Sequence, residues 1–341
     1  MLRPATLAPS LVRRSPLPSS SRRAPMEAIA SEEDEAAAAA SSSSNPPPPP
    51  PSSSPAQLSR WIEAQDLLRR RLIERDDFPW ELPGGGGAAA GSGEALKYVG
   101  GVDLSFAGDD GSLACATLVV LDLSTLRVVY EDFDVVRLEV PYVPGFLAFR
   151  EAPVLLGLLE KVKSSATDIC PQLIMVDGNG LLHPRGFGLA CHLGVLADLP
   201  TIGIGKNLHH VDGLTLSGVK QLLAAKDNLS KDLLTLTGSS GRIWGVAMRS
   251  TWNTSKPIFV SIGHRISLQT AAKVVGMTCK YRVPEPVRQV GDKFHRSHFC
   301  NMSNCRLISG QETSFARMVI SVRELIRFED VATVLWMAGL I

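Results

Sequence analysis

YVGGVDLSF, residues 98–106, sets the reading of the rest of the chain. Its apolar and β-branched residues predict a strand, in which successive side chains point to opposite faces. Val102, Leu104 and Phe106 line one face, so Asp103 points to the other, beside Val99 and Gly101. Outward from there, residues 113–122 and 127–139 read as two more strands, with turn residues Gly108–Gly111 after the first. A helix is expected over 146–163, a buried strand over 172–176, a helix over 189–199 and a short strand over 201–204.

Three antiparallel strands followed by helix, strand, helix, strand is the order of a ribonuclease H-like sheet. The expected fold class is therefore α/β, with a mixed central sheet flanked by helices and a disordered N-terminal extension. Beyond the sheet, a helix is expected near 217–226, strands near 232–236, 243–248 and 257–262, and a final helix over 268–279. Upstream, an amphipathic helix over 57–74 carries Arg69–Arg71, and a glycine-rich stretch, 84–93, separates it from the sheet. The domain reading is an extension over 1–55, a catalytic domain over 56–289 and an atypical tail over 290–341.

Composition narrows the class. With 341 residues, 45% of them hydrophobic, one sizeable core is expected. Lys and Arg total 35 against 34 Asp and Glu, so any nucleic-acid contact must come from a local basic patch. Six cysteines with no CxxC pair fit a reduced compartment better than a disulfide framework. Apolar stretches fall short of the roughly 20 residues of a spanning helix, so no membrane contact is expected. Residues 1–55 hold an Ala run, a Ser run and the proline run 46–51, a polyproline spacer that builds no core. The first 25 residues carry arginines and serines but no acid, a composition shared by transit peptides and plain disordered tails; Met26 is an alternative start.

Three acids stand where apolar residues would be cheaper. Asp177 closes the run LIMV at the C-terminal end of a buried strand, the end at which α/β sheets bind ligands. Glu151 shares a helical stripe with Leu147, Val154, Leu155 and Leu158, the stripe that faces the sheet. An unpaired buried carboxylate costs several kcal/mol, and one divalent cation would answer all three acids, Asp103, Glu151 and Asp177. Their hard oxygens suit Mg²⁺, which also binds substrate phosphate. Each acid also has a bland reading: Asp103 as a turn acid, Asp177 as a helix N-cap before GNG, Glu151 as the partner of Arg150 or Lys161.

The blocks GVDLS (101–105), PYVPGFLAFRE (141–151), VDGNGLLHPR (176–185), PTIGIGK (200–206), VSIGHR (260–265) and YRVPEPVR (281–288) together resemble the endonuclease V family, in that family's order. The resemblance covers residues 57–289. It implies that Asp103, Glu151 and Asp177 bind metal, Mg²⁺ with Mn²⁺ able to substitute, and that His183, Lys206 and His264 belong to the same catalytic site. It implies that Pro141, Tyr142, Val143 and Pro144 form a wedge, two prolines presenting a ring that fills the gap left by a flipped base. It implies that backbone groups of Gly178, Asn179 and Gly180 read hypoxanthine. The implied reaction is hydrolysis of the second phosphodiester 3′ to inosine in single-stranded RNA or DNA, leaving 3′-hydroxyl and 5′-phosphate ends, by a monomer.

After Gln289 the sequence departs: VGDKFH stands where the family continues with an acid and an Arg-rich helix. His295, His298, Cys300 and Cys305 fit no zinc spacing. The altered tail leaves a second class open, a protein that binds inosine-containing RNA with impaired cleavage. The expected compartment is nucleus or cytoplasm, or plastid or mitochondrion if the N-terminus is a transit peptide.

Overall fold

The computed structural model describes residues 54–83, 94–107, 110–225, 233–251, 254 and 256–297. The N-terminal extension, the glycine-rich stretch and the tail from residue 298, with His298, Cys300 and Cys305, lie outside the described residues.

Helix α1 (Pro55–Arg69) starts on Ser54, whose hydroxyl accepts the Gln57 amide at 3.2 Å. Strands β1 (Trp80–Glu81) and β2 (Glu94–Ala95) form a two-residue parallel pair of their own. The main sheet begins with β3 (Tyr98–Ala107), β4 (Asp110–Asp122) and β5 (Arg127–Arg137). Then come α2 (Ala148–Ser165), β6 (Leu173–Asp177), α3 (Leu189–Ala197) and β7 (Thr201–Gly205). Helix α4 (Leu216–Ala224), β8 (Leu233–Thr237), β9 (Ile243–Met248), β10 (Ile258–His264), α5 (Leu268–Thr278) and α6 (Glu285–Ser297) complete it.

The eight strands run β5-β4-β3-β6-β7-β10-β9-β8 across the sheet. β3, β6 and β7 are mutually parallel; β4, β5 and the β10-β9-β8 wing run antiparallel to their neighbours. The first five strands have the ribonuclease H-like order, and the chain crosses from the β5 edge back to the centre through α2. That crossing leaves a crevice at the C-terminal end of β6, beside the middle of β3, the end at which such sheets hold ligands. Val154, Leu155, Leu158, Leu159 and Val162 of α2 are buried in the core beside Val102, Ile174 and Val176. Each contributes about 1.5–3 kcal/mol by leaving water.

The structure departs from the sequence reading at two helices. α1 ends at Arg69, not residue 74, because the chain turns away to bond β10: Ile73 N–H donates to His264 Nδ1 at 3.3 Å, and Arg265 N–H to Ile73 O at 2.7 Å. Helix α6 has no counterpart in the sequence reading, and residue 289 falls inside it. It packs on β3 and β4, and a Cβ on Gly101 would stand 2.2 Å from Pro286 O, so only glycine lets the helix lie this close. None of the described helices is long and apolar enough to cross a membrane.

Candidate active site

Val102 of β3 pairs with Val176 of β6, so the next residues, Asp103 and Asp177, come side by side at the crevice. Asp103 sits inside a strand, paired with Thr117, and is not a turn acid. Its carboxylate accepts from Leu104 N–H at 2.8 Å and from Ser105 Oγ at 3.3 Å. Burial and the charge of Asp177 nevertheless push its pKa up to about 7, against the pull of Lys206.

Glu151 occupies the first turn of α2, where the helix dipole favours a carboxylate, and is 5% exposed. Burial first and Asp103 second raise its pKa to about 8, with Arg150 opposing. Lys161 is not its partner; that ammonium lies 3.1 Å from Asp132. Asp177 caps no helix either. Its Oδ2 takes the Lys206 ammonium at 2.6 Å. Desolvation works against the charge on Lys206, but Asp177 and Asp103 outweigh it and leave its pKa raised. Arg282 secures this lysine by donating to Lys206 O at 3.0 Å.

The three acids are hard oxygen donors close enough to repel one another, a donor set that a divalent cation would neutralise. Among the described residues no three acidic, His or Cys side chains close into a finished cage. Lys206 occupies Asp177 in this arrangement, and the set is one that fits a metal shared with substrate oxygens.

His183 lies on the loop after β6. Its Nδ1 accepts Arg185 N–H at 3.2 Å, which leaves the proton of the neutral ring on Nε2. Burial, then His209 and Arg185, lower its pKa to about 4, so it is neutral near pH 7. Tyr142 is 61% exposed and does not pack on the core; Val143 beside it does. The chain leaves this loop through Gly145 at φ +84°.

One expectation needs correction. His264 is not in the crevice. It pairs with Thr201 at the N-terminal end of β7, whereas Asp177 pairs with Ile204 three residues, about 10 Å, further on. It is 3% exposed, accepts Ile73 N–H and lies 3.8 Å from Asp198, the environment of a packed structural histidine. The glycine loop is held by bonds of its own. Gly178 N–H bonds Ile204 O, Gly180 N–H bonds Ser261 Oγ, Asn179 O takes Ala190 N–H and Gly180 O takes Gly188 N–H. These four groups hold the loop in place, and its glycines permit close approach, a Cβ on Gly180 standing 2.0 Å from Ile262 O. Asn179 Oδ1 is different: it is buried with no protein partner.

Sequence reasoning passed over Ser105 and Arg282, although both lie within the endonuclease V-like blocks. Spacing along a strand does not reveal a hydroxyl turned on a neighbouring carboxylate or an arginine reaching a distant carbonyl.

Residues 88–292 match the family model described as Endonuclease V. Mouse endonuclease V is 46% identical over 232 residues, covering 68% of this chain and 67% of its own; human endonuclease V is 44% identical over 241 residues, covering 71% and 83%. The crystal structure of the catalytic domain of human endonuclease V is similar at TM-score 0.68 and 41% identity, covering 74% of this chain and 99% of that one. Ciona intestinalis endonuclease V, in complex with a 23mer DNA containing an inosine followed by a ribo-adenosine, is similar at TM-score 0.63 and 32% identity, covering 73% and 100%. By its residue blocks, its sheet and these matches, the chain belongs to the endonuclease V family of nucleases.

Proposed function

We propose that this protein is a divalent-metal-dependent endonuclease that hydrolyses the second phosphodiester 3′ to inosine in a single strand, leaving 3′-hydroxyl and 5′-phosphate ends. The observation that carries the reading is the convergence of Asp103, Asp177 and Glu151, from two adjacent strands and the helix that closes on them. The inosine-containing DNA held by the Ciona relative supports the substrate class, and RNA shares the base it would read.

Asp103, Glu151 and Asp177 would hold Mg²⁺, with Mn²⁺ able to substitute. When bound, such an ion neutralises charge developing on the phosphodiester and lowers the pKa of water beside it. The chain supplies the rest. Lys206 offers its ammonium to the phosphate next to Asp177. His183, neutral with its proton on Nε2, donates a hydrogen bond to a phosphate oxygen. Tyr142, held between Pro141 and Pro144, fills the stack vacated by the flipped base. Backbone groups of the Gly178–Gly180 loop meet the ring N–H of hypoxanthine, a donor that adenine lacks. The protein acts as a monomer.

The test is to incubate the full-length protein with labelled single strands carrying one inosine, as DNA and as RNA, with Mg²⁺ or EDTA. Metal-dependent cutting one nucleotide beyond inosine is expected, and the faster strand names the substrate. Tight inosine-selective binding without cutting in either strand would instead establish a binding protein.

A further inference from the structure

We propose that a second anion site, built from Arg69, Arg185 and Arg242, holds a backbone phosphate of the bound strand away from the scissile one. The inference rests on the nuclease reading.

Three distant parts of the chain meet around a cavity of about 270 Å³ lined by Arg69, Pro184, Arg185, Gly186, Arg242 and Trp244. Arg69 ends α1, Arg242 immediately precedes β9 and Trp244 is its second residue, and Pro184–Gly186 belong to the loop that follows Asp177. Two of the guanidinium groups rest on aromatic rings. Arg242 lies over Trp244 at 4.6 Å, and Trp244 is pinned by its Nε1–H donating to Asp212 at 2.9 Å. Arg185 lies over Phe146 at 4.9 Å, and its Nε donates to Gln65. The forks are thus held in place before any ligand arrives, so little side-chain freedom is lost on binding.

Their acid partners are loose. Arg242 stands 3.7 Å from Glu74, and Arg185 3.8 Å from Asp66. Arg69 donates to a backbone carbonyl, Arg185 O, at 3.2 Å. Elsewhere in the same protein Arg288 grips Glu285 through two bonds of 2.9 and 2.7 Å, the length of a charge-assisted pair. An arginine with a dedicated structural acid looks like Arg288; those of the cavity look like groups awaiting an anion.

Continuity names the anion. A Cβ on Gly145, in the loop that presents Tyr142, would meet Arg185 Cδ at 3.5 Å. His183 lies two residues from Arg185 on the same loop. A strand passing the exposed tyrosine and the acids therefore has this cavity beside its path. Guanidinium forks there match phosphate oxygens and carry no base information, which makes the site one of register rather than sequence.

The experiment is a salt titration of affinity in EDTA, using the full-length protein and single strands with and without inosine, from about 50 to 200 mM salt. Removing one charge that neutralises a phosphate lowers the slope of log affinity against log salt by about 0.7. Arg69→Gln and Arg242→Gln are expected to show that drop singly and to add when combined. Arg242→Lys is expected to restore the slope, because it keeps the charge; a purely packing role would not be rescued this way. A double variant with wild-type melting temperature, affinity and slope overturns the proposal. If the double variant melts early, Arg69→Gln alone decides, since its side chain is on the surface. Wild type that binds both strands alike and cuts neither with Mg²⁺ overturns the nuclease reading, while the slope on the plain strand still decides the cavity.

Discussion

Asp103 and Asp177 are the residues with most to lose. Replacing either with Ala leaves the glycine loop and the Tyr142 loop intact, so inosine-strand binding is expected to persist while cutting falls by roughly 10⁴ or more, the scale on which a catalytic set fails when one member goes. Cleavage and gel-shift measurements on the same samples check this, and full activity in either variant would remove these acids from the reaction. Gly180 tests a different property. Its Cβ would stand 2.0 Å from a backbone oxygen that cannot move aside, so Gly180→Ala is expected to destabilise by about 3 kcal/mol. Gly157, on the exposed side of α2 with nothing within 4 Å, has the opposite sign: Gly157→Ala is expected to stabilise by about 1 kcal/mol. Urea melts of the two variants give both numbers, and equal effects would contradict the packing argument.

At the scale of elements, α6 carries the weight that Gly101 makes room for. Glu285 in its first turn is 2% exposed and accepts from Arg288 and Gln289. Burial alone would raise its pKa; the bonds from Arg288 and Gln289 overcome that and leave it lowered. A lowered carboxylate stabilises the fold above its unfolded value near 4.5, and that contribution fades as pH falls through the folded value. Glu285→Ala leaves Arg288 without its bidentate partner and is expected to cost about 3 kcal/mol at pH 7, seen as an earlier urea midpoint. No loss would mean that α6 is held by the packing of Pro286, Val287 and Val290 rather than by this ion pair. α6 also shows why an element escapes sequence reading. Val287, Val290 and Phe294 recur at helical spacing, but Pro284 and Pro286 at its start and Gly291 inside it read as helix breakers along the sequence. The β1–β2 pair escaped because two residues hold no period at all.

Over the whole molecule, burial sets the response to acid. His192 of α3 is 2% exposed, edge-on to Phe149 at 4.9 Å, with no partner for Nδ1. Desolvation lowers its pKa to about 4. The unfolded chain therefore binds a proton between about pH 6.5 and 4 that the folded one refuses, so stability is full above 6.5 and falls as pH drops toward 4. The shift corresponds to about 3 kcal/mol. Asp103 and Glu151 act in the opposite sense, since their raised values let the folded state keep protons that the unfolded chain has lost. Wild type shows the sum; the difference between wild type and His192→Leu isolates the histidine. That difference is expected to change by about that amount as pH is lowered from 7 to 4, and parallel stability curves would sink the argument.

Local pattern determined a good deal. Period-two and helical repeats place β3 to β10 and α2 to α5 within a few residues, because each strand or stripe must hide one face whatever it packs against. The acids stood out for the same reason, polar groups on faces that should be buried. The tertiary structure decided the rest. Pairing across β3 and β6 joined Asp103 to Asp177, and antiparallel β10 carried His264 to the far end of the sheet although its sequence block resembles an active-site one. Arg69, Arg185 and Arg242 share a cavity only because α1, the glycine loop and β9 are folded together. Sequence specifies which face of each element turns inward; which residues of different elements then meet depends on register and strand direction, and those are fixed only when the whole sheet closes its core.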